Sequence, residues 1–339
     1  MKKNRNSTFF AHNFKAYLTP KHKKRKIILP DQLKNIHSYL MRENYLIHID
    51  DLLYTKFLVT VNPKGKKCLF ISFQEQEFLV SETGKILMIL NTNLPKDTNP
   101  SINTMIECTF TGNKLILQDL LKWNNEDYRC KSAETRFKAL SSYSPLISQS
   151  SIRVIVEEFF QCDLNSFEHC YSSHKDYLKD GISFYKSEST YKAGLGDNKY
   201  VWKDAYCAVI EEYEDKFEVS ACKELLTADG FSVFKLSPAH LSKVSGLDSF
   251  GQVVCAEVLE VGSYRLEKVG EVREGKGRLS SWTEVVFYFK LKQGNMQVED
   301  VYGVLEKSTE MEICNPGYFD SEESIEYNNF DHESSDFFC

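Results

Sequence analysis

The sequence has no apolar run that approaches the roughly 20 residues needed to span a bilayer, and its first residues are basic and polar. We therefore expect neither a membrane span nor a secretory signal peptide. Ten cysteines are present, but none form a C-x-x-C pair, the pattern of many redox and zinc sites. Cysteines in a chain without a signal peptide are expected to stay reduced, so we expect the protein in the cytoplasm and nucleus.

Short motifs of several enzyme classes are also missing. There is no G-x-S-x-G of a serine hydrolase, and the glycines at 194–196 are too few for a dinucleotide fingerprint. One short segment holds four potential zinc ligands, namely Cys162, His169, Cys170 and His174. They lack the paired short spacings of a structural zinc site, so we predict no metal and no cofactor.

The composition is that of a globular protein with oppositely charged ends. Hydrophobic residues make up 42% of the chain, with 23 Phe and 18 Tyr, enough for a sizeable core. Residues 1–35 hold ten Lys and Arg against one acid, and residues 306–339 hold ten acids against one lysine. We expect a basic flexible arm at 1–30 and an acidic disordered tail at 308–339. The basic run at 21–26 fits a solvated arm and a nuclear-transport or nucleic-acid segment equally well.

Hydrophobic periodicity predicts an α+β protein with antiparallel sheets. Residues 31–50 begin with helical spacing and become extended at 45–47. The predicted strands are 53–61, 67–73, 77–80, 85–90, 104–110, 114–121, 153–160, 181–186 and 199–203, and the predicted helices are 131–142 and 163–177. Further strands are predicted after residue 205, including "TEVVFYFKLK" at 283–292.

Four segments occur in a fixed order that carries a resemblance. They are the strand–turn–strand at 57–73, the stretch 106–140, "KDGISFYKSE" at 179–188 and "YVWKDAY" at 200–206. Their order resembles the nucleotidyltransferase fold of mRNA-capping guanylyltransferases and of DNA and RNA ligases. "LILQDLL…AETRFKAL" resembles that fold's "FDLL…eRxxxL", "DGISFYK" resembles "EGLVFK", and "VWK" resembles K-x-K.

The catalytic parts of that fold do not carry over. Asn62 stands at the nucleophilic lysine, Lys64 at the aspartate beside it, and Val201 at the first lysine of K-x-K. Residues 107–109 read Glu-Cys-Thr where the fold has Asp-Gly-Glu. Forming a lysyl-nucleotide needs an amine that attacks a phosphate, so we predict no enzyme activity.

Snurportins, a non-catalytic branch of this fold, show a closer resemblance. "NPKGKKCLFI" is similar to their "CPxGKRALIV", "LQDLLKW" to "LDxxW", and "DGISFYKSESTY" to "DGLLFYhkqthY". The resemblance implies that residues 31–206 bind the trimethylguanosine cap, or a methylguanosine cap, of an RNA. It also implies an adaptor in the nuclear import of small nuclear ribonucleoproteins, with importin-β or another transport receptor as partner of the basic arm.

Site residues follow from the same resemblance. A snurportin holds the cap base between two tryptophans, and Tyr45 and Trp202 stand at the corresponding positions. A methylated guanine is a cation that electron-rich rings attract, and phosphates attract lysines. We assign contacts with the cap phosphates or RNA to Lys64, Lys66, Lys67 and Lys203.

Two alternatives for the function remain open, as does the character of residues 207–307. One alternative is a divergent guanylyltransferase or RNA ligase with a displaced lysine. The other is a non-catalytic structural relative of a capping enzyme, which would have a closed or polar-blocked cleft. Residues 207–307 are predicted to form a β-rich extension. It is either an OB-like domain, whose closing motif "VREGKGRLSSWTEV" loosely resembles, or a set of further strands of the first domain.

Overall fold

The computed structural model describes residues 35–73, 76–92, 102–147, 152–208, 213–242 and 251–314. The predicted basic arm and the part of the predicted acidic tail that follows residue 314 lie outside these residues. Within the described residues no helix is both long and apolar enough to cross a membrane. Three sheets, six α-helices and one short 3-10 helix at Ile36–Tyr39 are described, which confirms the α+β class.

A first sheet of five strands lies at the centre of the candidate site. Its strands, in spatial order, are β1 (Met41–Tyr45), β12 (Gly194–Trp202), β11 (Lys179–Lys186), β2 (Phe57–Pro63) and β10 (Phe160–Gln161). β1 runs parallel to β12, and the other pairs are antiparallel. Four strand termini therefore lie side by side at one end of this sheet, called the meeting edge below. They are the ends of β1, β2 and β12 and the start of β11.

A second sheet carries most of the predicted strands of the first half of the chain. Its strands are β5 (Ile86–Leu90), β4 (Gln76–Ser81), β3 (Lys66–Phe73), β6 (Ile102–Phe110), β7 (Lys114–Trp123) and β8 (Glu126–Asp127), and β9 (Arg153–Val156) runs parallel to β7. The strands predicted at 67–73, 104–110 and 114–121 are confirmed. Gly112, at a φ of 99°, makes the tight turn between β6 and β7.

The basic turn after Asn62 links the two sheets, because β2 belongs to the first sheet and β3 to the second. Glycine is required at its tip. A Cβ on Gly65 would lie 2.6 Å from Thr109 Cγ2 and 2.7 Å from the Phe110 carbonyl oxygen, closer than real side chains approach. The turn is therefore fixed against β6.

A third sheet, formed after residue 213, has its own core. Its strands are β15 (Ser232–Lys235), β14 (Glu224–Leu226), β13 (Asp215–Val219), β16 (Val253–Val261) and β17 (Leu266–Glu274). All neighbours are antiparallel. Its core, which includes Phe217 and Val254, is separate from the core of the first sheet.

Six α-helices pack on these sheets. They are α1 (Asp51–Tyr54), α2 (Ala133–Ile147), α3 (Leu164–Ser172), α4 (Pro238–Leu241), α5 (Trp282–Lys292) and α6 (Val298–Cys314). Helix α2 packs against β7, α3 against β2, α5 against both β1 and β16, and α6 against α1 and α3. The helices predicted at 131–142 and 163–177 are thereby confirmed, as α2 and the shorter α3.

Three sequence-based assignments are wrong, wholly or in part. Residues 53 and 54, the start of the strand predicted at 53–61, belong to helix α1, and strand β2 begins only at Phe57. Residues 41–45 form strand β1 instead of continuing a helix, because they pair with β12. Residues 283–292 form helix α5 instead of a strand. Val285 packs in the core of the third sheet and Phe287 in that of the first, so the helix is apolar on two sides and has no helical periodicity to read.

The C-terminal helices share the core of the first sheet. Phe287 of α5 and Met296, Val301 and Leu305, in and just before α6, pack in the same cluster as Trp202. The expected boundary at 206/207 therefore separates residues of one core. Helix α6 also continues to Cys314, past the expected start of the acidic tail.

Candidate functional site

The edge where β1, β2, β11 and β12 meet carries most of the predicted site residues. Tyr45 ends β1 opposite Val201 of β12, Asn62 lies near the end of β2, and Lys203 follows β12 directly. Side chains alternate between the two faces of a strand. Tyr45, Val201 and Lys203 therefore share one face of the first sheet, while Trp202 lies on the other.

Asn62, at the predicted position of the nucleophilic lysine, has a structural contact. It is buried, and its side-chain amide donates a hydrogen bond to the Asp180 carbonyl oxygen at 3.2 Å. This bond holds β2 against the start of β11. An amide has no basic nitrogen that could attack a phosphate.

Lys203 places a fixed cation in the site. It is 5% exposed, its Nζ lies 3.4 Å from Asp180 Oδ2, and it lies over the ring of Tyr45, 5.3 Å from the centroid. Burial lowers the pKa of Lys203, but the Asp180 carboxylate, Tyr288 and Glu43 outweigh it and raise the pKa above its ordinary value. Lys203 is therefore charged at neutral pH.

Helix α5 covers Tyr45. The ring is 6% exposed and lies 5.0 Å from the ring of Phe287 and 5.6 Å from that of Tyr288. The Tyr45 amide donates to Thr283 Oγ1 at 3.4 Å, and Lys290 donates to the Ile47 carbonyl at 2.8 Å. Tyr45 thus faces α5 in this structure, and its stacking on a base stays a prediction that requires α5 to move.

Trp202 is 0% exposed. Its ring packs against Phe167 and Tyr171 of α3, with centroids 5.9 and 6.1 Å away. Its indole N–H has no hydrogen-bond partner among the described residues. The structure does not bring Tyr45 and Trp202 together as two walls of one slot. The stacking role of Trp202 stays a prediction that would require its core to open.

The predicted phosphate lysines have different surroundings. Lys67 Nζ lies 3.1 Å from Glu43 Oε1 and 3.6 Å from Glu107 Oε1, so two carboxylates balance its charge. Lys64 and Lys66, in the turn after Asn62, are half-buried and exposed, respectively. The roles of all three lysines as phosphate contacts stay predictions, with Lys64 and Lys66 the more accessible.

Charged side chains around Glu43 form a network beside this edge of the first sheet. Burial raises the pKa of Glu43, but the ammonium groups of Lys67, Lys199 and Lys203 outweigh it and hold the pKa well below its usual range. Glu107, at the predicted position of a lost catalytic acid, accepts a hydrogen bond from the Tyr191 hydroxyl at 2.5 Å. These carboxylates are therefore occupied by protein partners. Within the described ranges, no group of three His, Cys, Asp or Glu could hold a metal ion.

Comparisons with known proteins agree with this architecture at the level of a domain family. Residues 39–202, which run from just before β1 to the end of β12, match the family model of the Snurportin1 m3G cap-binding domain. The match confirms the resemblance of residues 39–202 to snurportins. No curated protein matches the sequence.

Solved structures similar to the chain include two DNA ligases. A Lig E DNA ligase is 11% identical with a TM-score of 0.36, and the match covers 70% of this chain and 98% of that one. The ligase domain of LigD from M. tuberculosis is 9% identical with a TM-score of 0.36, and the match covers 68% of this chain and 71% of that one.

Within the residues that match the family model, the segment that resembles "FDLL…eRxxxL" has a structural role. Arg136 of α2 forms two hydrogen bonds to Asp119 of β7, at 2.7 and 2.9 Å, and both residues are buried. Arg136 also donates to the carbonyls of Lys131 and Ser189. This pair joins α2, β7 and the loop after β11.

Sequence reasoning missed the residues that the C-terminal part brings to the region that matches the family model. Tyr288 of α5 stacks on Tyr213 with centroids 3.8 Å apart and planes 7° apart, and it faces Tyr45 and Lys203. One signal could have found the helix. Ser281 and Glu284 form a capping box, a pattern that marks a helix N-terminus in sequence.

Proposed function

We propose that residues 39–202 bind the methylated guanosine cap of an RNA and that the chain acts as a non-catalytic cap-binding adaptor. The observation that carries this proposal is the match to the snurportin cap-binding family over the whole first and second sheets. The match includes every strand that positions Tyr45, Asn62 and Lys203.

The surroundings of Asn62 support binding over catalysis. An enzyme of the related fold needs an amine at this point, and here a buried amide is bonded to the Asp180 carbonyl. The ammonium of Lys203 is paired with the carboxylate of Asp180. The alternative of a guanylyltransferase or RNA ligase requires another lysine, such as Lys64, to form a lysyl-nucleotide.

The chemistry of the site fits a cationic base linked to phosphates. Methylation gives guanine a delocalised positive charge, which the face of an aromatic ring attracts. Tyr45 supplies a ring and Lys203 already lies over it. Lys64 lies in the turn that follows β2 and Lys66 begins β3, where they would meet the phosphates. We therefore propose a methylguanosine cap, and the family match supports the trimethylated form.

The closed cleft favours a second candidate function. Tyr45 and Trp202 are buried, as expected for a structural relative of a capping enzyme that has lost its ligand. In that case no cap would bind at any accessible concentration, whereas an adaptor would bind a cap when α5 moves.

We also propose the finer role suggested by the resemblance. It is an adaptor in nuclear import of small nuclear ribonucleoproteins, found in cytoplasm and nucleus. The basic residues within 1–35 support a contact of the arm with importin-β or another transport receptor. Deleting residues 2–30 should abolish capture by purified importin-β and leave cap binding intact. Capture that survives the deletion would contradict this role of the arm.

The third sheet, we infer, is an OB-like domain. Its spatial order is β15-β14-β13-β16-β17. The fourth strand in chain order, β16, therefore lies beside the first, β13, which is the arrangement of a Greek key. An OB fold is a five-stranded, partly open Greek-key barrel, and the outer strands β15 and β17 contact each other. The separate core of this sheet also supports the inference.

Cap binding is tested by calorimetric titration of the full chain with a trimethylated cap dinucleotide, with a parallel incubation in radiolabelled GTP and ATP. We expect binding of the cap without a covalent nucleotide. Tyr45→Leu should weaken binding about tenfold, the loss of one stacking ring. Tyr54→Leu is the matched control, because Tyr54 is exposed on α1. A lysyl-nucleotide adduct would establish the enzyme alternative, and no binding would favour the structural relative.

A further inference from the structure

We infer that Tyr288 of helix α5 forms, with Tyr45, the cation site of the cap-binding cleft, which Lys203 fills in this structure and the cationic guanine fills when the cap binds. The inference rests on the proposed function. It assigns the second aromatic wall to the C-terminal part of the chain, outside the residues that match the family model, and not to Trp202.

The two rings already hold a cation. Lys203 Nζ lies 5.3 Å from the centroid of Tyr45 and 5.6 Å from that of Tyr288. Both distances fall within the about 6 Å over which a ring attracts a cation. The site therefore has the electrostatic character that a methylated guanine requires.

Tyr288 is backed by a second ring. Tyr213, just before β13, stacks on it with centroids 3.8 Å apart and planes 7° apart. The Tyr213 hydroxyl donates to Ser280 Oγ at 2.7 Å, which fixes this ring beside the start of α5. Tyr288 is thus a supported platform, and Trp202 is enclosed in the core on the other face of the sheet.

A base needs more room than the two rings now leave. Their centroids are 5.6 Å apart and their planes differ by 56°. A base between two parallel rings makes two layers of contact of about 3.5–4.0 Å each, so the rings must separate by roughly 2 Å. Helix α5 contacts both β1 and β16 of the third sheet, so a small shift of α5 together with that sheet, away from β1, would open the slot.

Lys203 can leave the space between the two rings when the base enters, because it has a second partner. Two cations cannot share the slot, but Asp180 Oδ2 lies 3.4 Å from the ammonium on another side. Lys203 can keep this partner while it leaves the rings. It then stays beside Asp180, whose carbonyl oxygen accepts the hydrogen bond from Asn62 just before the turn that contains Lys64.

Removing the Tyr288 ring should change cap affinity in opposite directions, depending on whether the ring stacks on the base as a wall of the slot or only covers Tyr45. If Tyr288 is a wall, Tyr288→Ala weakens cap binding. If Tyr288 only blocks Tyr45, the same change opens the site and strengthens binding. The sign of the change in affinity therefore separates the two roles.

The experiment is calorimetric titration of the full chain with trimethylated and unmethylated cap dinucleotides. Tyr288→Ala should weaken binding of the methylated cap about tenfold or more and binding of the unmethylated cap much less, because only the methylated base carries the charge. Tyr288→Phe keeps the ring and should stay within about threefold of the original affinity. Tyr302→Ala, a tyrosine of α6 that packs on Phe167, is the matched control and should bind like the original chain.

Equal or tighter binding of the methylated cap by Tyr288→Ala would overturn the inference while leaving the proposed function intact. Failure of the unchanged chain to bind any cap would overturn both. Circular dichroism and thermal unfolding of each variant confirm that it is folded. Should Tyr288→Ala unfold, Tyr288→Leu fills the same space without an aromatic face, and the same outcomes decide.

Discussion

Asp215, at the start of β13, is a buried carboxyl whose charge should control how stably the third sheet and α5 pack. It is 4% exposed, and its Oδ1 has no hydrogen-bond partner among the residues that the structure describes. Burial raises its pKa from the ordinary 3.8 to about 7, with Lys292 opposing the rise and Glu284 adding to it. We predict that Asp215→Asn stabilises the protein at neutral pH and removes part of the pH dependence of folding.

The magnitude follows from linkage. The folded chain binds the proton at a pH where the unfolded chain has lost it, so stability is highest below about pH 4 and falls as pH rises to about 7. A rise in pKa from 3.8 to about 7, at about 1.4 kcal/mol per unit, amounts to a loss on the order of 4 kcal/mol. Asparagine carries no charge to bury, so it does not suffer this loss.

The assay is urea unfolding of the original chain and of Asp215→Asn between pH 4 and pH 8. The difference in free energy of unfolding should grow from near zero toward pH 4 to on the order of 4 kcal/mol at pH 7, and then stay level. A difference that does not change with pH would refute the reasoning, because it would show that the carboxyl does not change its protonation on folding.

Three further changes test the frame of the site. Arg136→Met should cost about 3–5 kcal/mol in urea unfolding, because Asp119 would be a buried charge without its partner; a cost below about 1 kcal/mol would contradict the burial of the pair. Gly181→Ala should destabilise the protein more than Gly112→Ala, although both glycines have a positive φ. A Cβ on Gly181 would lie 2.5 Å from the Trp202 carbonyl oxygen, whereas nothing lies within 4 Å of a Cβ on Gly112. Equal losses of stability for the two variants would contradict this contact. Trp202→Ala should cost about 3–5 kcal/mol in thermal or urea unfolding, as for large rings removed from a core, and a neutral effect would show that Trp202 is exposed in solution.

Local signals predicted the elements that depend on local sequence. The strands around Gly112 follow from alternating apolar residues on either side of a turn glycine, and β3 follows from a compact apolar run. Helix α2 follows from helix-forming residues after Ser132, whose hydroxyl accepts a hydrogen bond from the Thr135 amide. In each case the neighbours in sequence are also the neighbours in space.

Elements set by tertiary contacts were not predictable in the same way. Strand β1 is extended because it pairs with β12, about 150 residues later, at Met41–Gly194 and Tyr45–Val201. Helix α5 lies between two cores, so Val285 and Phe287 face different apolar neighbours and the pattern reads as a strand. Only the capping box gave a local clue.

The same distinction between local sequence signals and tertiary contacts applies to the residues of the candidate site. The ordered motifs located Asn62 and Lys203 at the meeting edge of the first sheet, because a motif fixes a residue within its own strand. They could not show that Trp202 is enclosed by α3 or that Tyr288 lies against Tyr45. Those contacts depend on helices whose packing no single segment encodes.

The central claim is that the cleft recognises a methylated, positively charged guanine. The most direct measurement is the ratio of dissociation constants of the full chain for unmethylated and trimethylated cap dinucleotides, obtained by calorimetry at one salt concentration. The account predicts that the trimethylated cap binds about tenfold or more tightly, because only its base carries the charge that the rings attract. Equal affinity for the two dinucleotides, or tighter binding of the unmethylated one, would contradict it.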